Sequence, residues 1–226
     1  MNAKQALAMG IVAATLGMGP TVASADPYFG LFWGKGSTDI SRSDLNRLAM
    51  DYTMNTLGGT APTGRSDLND MDSIWGVQVG YQFNRWVSAE LGYVDLGKAN
   101  YVANLTSNFG AGNEQFSVHG RFLTSGPTLA VLGTIPLGER FEIYGRGGLY
   151  FADTRFRRKA IFADGTQESH EQKAGTQELF GGFGASWNIN ADYSLRLEGT
   201  YFLDVGDDDR TGEASIAALA VAIVFR

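Results

Sequence analysis

Apolar and polar side chains alternate with period two over residues 76–83 and again over 87–93. In the first run Val77, Val79, Tyr81 and Phe83 share one side, with Gly76, Gln78, Gly80 and Gln82 on the other. In the second, Val87, Ala89, Leu91 and Tyr93 oppose Ser88, Glu90 and Gly92. Successive strand residues point to opposite faces, so Asn84-Arg85 between the runs marks a hairpin with one apolar and one small or polar face. A soluble sandwich buries such an apolar face, whereas a membrane barrel shows it to lipid and turns the polar face inward. The hairpin by itself fits either.

The same period recurs along the chain. Over 26–37, Phe29, Leu31 and Trp33 alternate with Tyr28, Gly30, Phe32 and Gly34. With the hairpin strands at 71–83 and 86–98, further strands at 122–137, 141–153, 176–189, 193–205 and 213–225 bring the count to eight. The last carries the outward set Ala217, Leu219, Val221, Ile223 and Phe225. Connections after the second, fourth and sixth strands are tight turns. Those after the first, third and fifth (38–70, 99–121 and 154–175) are long and polar and are expected to be loops. In the first of these, Leu45, Leu48, Ala49 and Tyr52 fall at helical spacing behind Ser43-Asp44 and before Gly58-Gly59. That pattern fits either a short amphipathic helix over 43–57, on the barrel rim or on lipid, or a disordered loop.

Short and long connections in strict alternation predict an all-β fold: an eight-stranded antiparallel up-and-down transmembrane β-barrel. Its short turns and both termini face the periplasm, and its long loops face outside. Each strand exceeds the roughly 9–11 residues of a tilted crossing. Aromatics gather at both strand ends, with Phe83, Trp187, Tyr193 and Phe225 on the turn side and Trp33, Tyr93, Phe151 and Tyr201 on the loop side. Bilayer interfaces select such rings.

Composition sharpens this picture. Residues 1–25 combine Lys4, an apolar run over 6–16, a break at 17–20 and Ala23-Ser24-Ala25, the layout of a cleaved export signal. The barrel domain is therefore expected over 26–226. Cysteine is absent, so no disulfide framework operates. Of 18 Lys and Arg, removing Lys4 leaves 17 against 24 Asp and Glu, a net charge of −7. That balance argues against a nucleic-acid partner. Thirty glycines suit the tightly curved wall of a small barrel.

Three stretches, GYQFNRWVSAELGYVDLG (80–97), IYGRGGLYFADTR (143–155) and YSLRLEGTYFLDVGD (193–207), resemble the OmpA-type eight-stranded outer-membrane barrels. The resemblance implies a cell outer membrane location and a structural or surface role. Larger family members add a peptidoglycan-binding periplasmic domain; with its end at Arg226, this chain is expected to carry the transmembrane domain alone. The family pattern usually finishes on an aromatic, whereas here Phe225 is penultimate.

Glu90, Arg146, Arg196 and Glu198 are predicted to project inward from the third, fifth and seventh strands. Charges in so narrow a space require mutual pairing, and the resemblance points to the same positions as an interior ionic network. The network reads as a filled polar core or as a narrow gate for ions or small solutes. A second interior Lys–Glu pair of relatives falls here on Val131 and Ser186. The lumen is expected to hold Phe32 and Gln78 beside the charges, against Ala218, Ala220 and Ala222. Arg155, Arg157, Arg158 and Lys159 form a candidate contact for lipopolysaccharide phosphates at the outer rim. The outer loops are the expected place of contact with outer-membrane lipid, host surface molecules or other barrels.

Asp207-Asp208-Asp209 with Glu213 departs from calcium-loop spacing and reads as an acidic turn, so no metal and no cofactor is expected. A lipid-modifying enzyme is the less favoured alternative. His119 and His170 are the only histidines, both in expected loops, and no Gly-x-Ser-x-Gly elbow occurs.

Overall fold

The computed structural model describes residues 26–39, 42–69, 71–110, 112–207 and 212–226. The expected export signal, and Asp208 and Asp209 of the acidic turn, lie outside the described residues, as do the side chains of Ser43, Asp44, Leu45, Leu48 and Glu213. The strands are β1 (Asp26–Thr38), β2 (Thr63–Asn69), β3 (Met71–Asn84), β4 (Val87–Asn108), β5 (Asn113–Pro136), β6 (Phe141–Phe162), β7 (Gln167–Asn188), β8 (Tyr193–Asp207) and β9 (Gly212–Phe225). Every pairing is antiparallel, and β1 closes the ring by pairing with both β3 and β9. Strands β2 and β3 are two segments of a single stave, since both run along β4, β3 from Val87 to Asp95 and β2 from Asn100 to Thr106. The wall therefore has eight staves and is closed within the membrane, whereas above it β2 pairs with β4 alone and β7 before Phe180 pairs with β6 alone.

The outward side of the barrel wall is apolar. Leu31, Val79, Leu91, Leu129, Ile143, Leu197, Leu219 and Ile223 are all exposed. At the turn end Tyr193 and Phe29 both pack on Phe225, and Phe141 stacks on Trp187, forming one aromatic rim. Trp33, Trp75, Tyr93, Phe151 and Tyr201 are exposed at the other. The inward side is filled: Gln78, Ser88, Glu90, Ser186, Ser194 and Arg196 are buried, along with the alanines of β9.

Two of the expected loops are not loops. Residues 99–121 and 154–175 continue the strands: β4 pairs with β5 up to Asn108↔Asn113, and β6 pairs with β7 up to Ile161↔Gln167. Part of 38–70 is also strand, namely β2. The physical reason is a change of solvent along one strand. Within the membrane the outward face is apolar; above it Asn100, His119, Arg121, Arg157 and Lys159 face out, while Tyr101, Phe116, Val118, Phe122 and Phe156 are buried inside. The period of two persists, with the two faces exchanged. On β4 the boundary is a bulge between Asp95 and Lys98, where Gly97 adopts a φ of 77° and donates its N–H to Asp95 Oδ1 at 2.8 Å. A bulge with a glycine at positive φ bends the strand and resets which residues face inward.

The segment between β1 and β2 does form a helix, α1 (Arg42–Asp51), continued by a π-helical turn, Tyr52–Thr56. It rests on the inner face of the protruding strands. Ala49 packs with Ala99, Tyr101, Ala103, Phe122 and Phe156. Tyr52 packs with Phe116, Val118 and Ala160. Asn46 Oδ1 accepts from the Tyr101 hydroxyl at 2.8 Å, so positions 46, 49, 52 and 53 define the docked side. The protrusion is thus a small core of the water-soluble kind standing on a membrane barrel.

Candidate functional site: a filled lumen beneath a basic outer face

Strand parity delivers the four expected charges to one level of the lumen. Gly80 and Ala130 flank Glu90 in the sheet, and Gly182 and Gly184 stand beside Arg146 and Glu198, so small neighbours leave room for long side chains. Arg196 Nη1 donates to Glu90 Oε1 at 2.8 Å, and Arg146 Nη1 to Glu198 Oε1 at 2.6 Å. Arg146 Nη2 also lies 3.6 Å from Glu90 Oε2, linking the two pairs into a neutral tetrad. The Glu90 side chain is 1% exposed.

Hydroxyls add hydrogen bonds to both carboxylates. Tyr28 donates to Glu90 at 2.8 Å, Tyr144 to Glu198 at 2.9 Å and Thr200 to Glu198 at 2.8 Å. Gln78 Nε2 reaches Glu90 at 3.4 Å. The Arg196 guanidinium lies 5.0 Å from the Tyr28 ring centroid and 5.2 Å from that of Tyr144. Gly80 is required here by close approach, because a Cβ on it would lie 2.0 Å from Tyr28 Cζ.

Above the charges sits an apolar layer. Phe202 stacks on Phe180 and meets Tyr150 edge-on, with Val94, Leu96, Ile74 and Ile216 around them. A cavity between the two layers, lined by Phe32, Thr128, Arg146, Glu198, Phe202 and Ala220, measures about 20 Å³. That volume holds a water or two, not a water column.

Of the second interior pair expected from relatives, Ser186 is buried in the lumen. Val131 faces lipid at 38% exposure, because the inward positions of β5 are Ala130 and Leu132.

The basic run 155–159 is divided by the strand period instead of lying in a loop. Arg155, Arg157 and Lys159 face out from β6, whereas Arg158 turns inward, bonds Gln172 and lies 5.5 Å from the Tyr52 ring. Arg158 therefore secures the helix-bearing core and is not part of the outward contact. Outside, Arg157 pairs with Glu171 at 2.6 Å, Lys173 with Glu171 at 3.2 Å and Arg155 with Asp153 at 3.2 Å. Arg157, by hydrogen bonding, and then Lys173 hold the Glu171 carboxyl below the usual glutamate value.

Pairing of β4 with β5 and of β5 with β6 adds Arg121 and His119 to this face, beside Arg157 and Lys159. Residue-by-residue reading of 99–121 as loop concealed them. Alternation of Phe116, Val118, Gly120 and Phe122 with Ser117, His119 and Arg121 was the available signal. The Ser117 hydroxyl approaches His119 Nε2 at 3.3 Å on this exposed face. Among the described residues no carboxylate hydrogen-bonds that imidazole, and no cluster of three metal-ligating side chains forms.

A closed antiparallel barrel with lipid-facing residues outside and a paired ionic core inside defines an outer-membrane barrel protein. The chain matches the OmpA-like transmembrane domain over residues 23–226 and belongs to that family. Its place is the outer membrane. It is 24% identical over 208 residues to outer membrane protein A of Yersinia pseudotuberculosis serotype I (strain IP32953), covering 91% of this chain and 51% of that protein. It is 30% identical over 134 residues to outer membrane protein A of Klebsiella pneumoniae, covering 59% of this chain and 34% of the relative. The chain thus spans about half the length, or less, of these curated relatives. Among solved structures, Neisserial surface protein A is similar, with 10% identity, a TM-score of 0.44, and coverage of 89% of this chain and 98% of that one.

Proposed function

We propose that this protein is a structural surface barrel with a closed lumen. It contributes to outer-membrane integrity and meets its partners through the protruding hairpins of β4–β7. The observation that carries this reading is the filled interior: the Glu90–Arg146–Arg196–Glu198 tetrad lies under the Phe180–Phe202–Tyr150 layer, with a cavity of only about 20 Å³ between them. A third plug, the docked helix α1, fills the protrusion. With transport through the centre disfavoured, the solvent-facing hairpins are the surfaces left for recognition. Residues 1–25 act as the cleaved export signal and 26–226 as the barrel domain. Among the described residues no carboxylate orients the His119 imidazole beside Ser117, and the reading preferred is non-enzymatic.

The test is a pair of hairpin truncations, removing 101–119 or 157–171, scored for adhesion to host surfaces, serum resistance and detergent sensitivity of cells. The expected result is a normally inserted barrel with a loss in at least one surface assay. Full retention of all three by both truncations would remove the hairpins from the account.

A further inference from the structure

The chain is acidic overall, at net −6, yet the outward face of β4–β7 above the upper aromatic rim is strongly basic. Sheet register fixes its layout. The first row above the bulge aligns Lys98, Arg155 and Lys173. The next aligns Arg121 and Arg157 with Glu171, and the one after aligns His119 with Lys159. Neighbours in a row stand about 4.8 Å apart per strand, and rows about 7 Å apart. Among the described residues no ion pair joins Lys98, Arg121 or Lys159 to a carboxylate, although Arg121 Nε donates to Asn100 Oδ1 at 3.2 Å. The second and third rows line a surface depression of about 520 Å³, with Asn100, His119, Arg121, Arg157, Lys159 and Glu171 among its walls.

Height decides which anion fits. Arg155 lies four residues beyond the exposed Phe151 on β6; at a tilt of 35–45° that is about 10 Å above the aromatic rim, and Lys159 is about 20 Å above it. The first row is therefore level with lipid headgroups, and the apolar wall continues directly below it through Tyr93, Leu129 and Phe151. A soluble polyanion uses only the upper part of such a surface. A phosphorylated glycolipid with several acyl chains uses both, its chains on the apolar wall and its phosphates on the cations.

We propose that the outward face of β4–β7 is a binding site for the phosphate groups of lipopolysaccharide, with Lys98, Arg155 and Lys173 at the headgroup and Arg121, Arg157 and Lys159 on phosphates further out. The guanidinium forks of Arg121 and Arg157 match phosphate oxygens two at a time, and Lys98 and Lys159 add point charges. The inference rests on the reading of the hairpins as the external side. A Gly110→Cys variant, in a chain without cysteine, tests that premise separately: labelling from outside intact cells is expected, and labelling only after the outer membrane is opened would overturn the orientation.

Binding is measured on the full barrel in detergent, with lipid A carrying both phosphates, lipid A stripped of phosphate, and heparin as probes. The variant Arg121→Gln/Arg157→Gln/Lys159→Gln should lose at least tenfold affinity for phosphorylated lipid A while keeping its heat-modifiable gel mobility. Wild-type binding should weaken with salt and be at least tenfold poorer for the stripped lipid. Where the triple variant fails to fold, Lys98→Gln/Lys159→Gln serves in its place, with a loss of at least fivefold expected. Equal binding of both lipids, smaller losses in a folded variant, or binding of heparin without lipid A would each overturn the proposal.

Discussion

Removing the Glu90 carboxylate is the most direct probe of the lumen. In Glu90→Ala, Arg196 loses its partner at 2.8 Å, Tyr28 loses its acceptor at 2.8 Å and Arg146 loses its second carboxylate at 3.6 Å. The Arg196 side chain is 8% exposed, so its charge is left in a poorly solvated space. Breaking a buried ion pair by deleting one partner is destabilising by about 3–5 kcal/mol. A further buried hydrogen bond, that of Tyr28, adds about 1 kcal/mol. Water entering the vacated space offsets part of this, so about 3–4 kcal/mol is expected overall. The Arg146–Glu198 pair survives, so the barrel should still close. Removing both Glu90 and Arg196 should cost less than the sum of the single changes, because no orphaned charge remains; a coupling of about 2 kcal/mol or more is expected. Urea unfolding of the refolded barrel in lipid vesicles, followed by tryptophan fluorescence and gel mobility, supplies all four free energies. A Glu90→Ala change below about 1 kcal/mol, additive with Arg196→Ala, would refute the reasoning.

Arg158→Ala should loosen helix α1 and raise protease cleavage within 46–62, because Arg158 lies against Tyr52 and bonds Gln172, whereas Arg157→Ala should leave cleavage unchanged. Glu171 has a folded-state pKa below its ordinary value, so its contribution to hairpin pairing is present above the unfolded value and is lost only as pH falls through the depressed one. A side-chain NMR titration should accordingly place its midpoint below that of free glutamate, and an ordinary midpoint would show that the Arg157 and Lys173 contacts do not persist in solution. N-terminal sequencing of the protein from outer membranes should begin at Asp26; a start at Met1 would overturn the export-signal reading.

The membrane part of the wall was legible because lipid enforces a consistent rule. Every second residue of 77–83, 87–93 and 217–225 must be apolar, and the polar remainder needs a lumen, which placed Glu90, Arg146, Arg196 and Glu198 together. The protruding part was missed because polarity was read as loop. Asn100, Arg121, Arg157 and Lys159 are polar since their side of the strand meets water, while Tyr101, Phe122 and Phe156 keep the period on the other side. The misplaced inward position of Val131 and the assignment of Arg158 to the outer contact are failures of parity along a strand, each a single residue wide. That α1 docks inside the protrusion was not legible, since Tyr101, Phe116 and Phe156 must first be brought into one core by pairing across β4, β5 and β6.

Conductance across a planar lipid bilayer tests the central claim, that the lumen is closed and the protein works through its outer faces. Purified wild-type barrel, with folding verified by gel mobility, should give no steady current above that of protein-free membranes, because the tetrad and the Phe180–Phe202 layer leave a cavity of only about 20 Å³ between them. Large, stable, voltage-independent channels from the folded protein would contradict that claim. Small gated steps that vanish in Glu90→Ala would contradict it as well, by making the tetrad a gate.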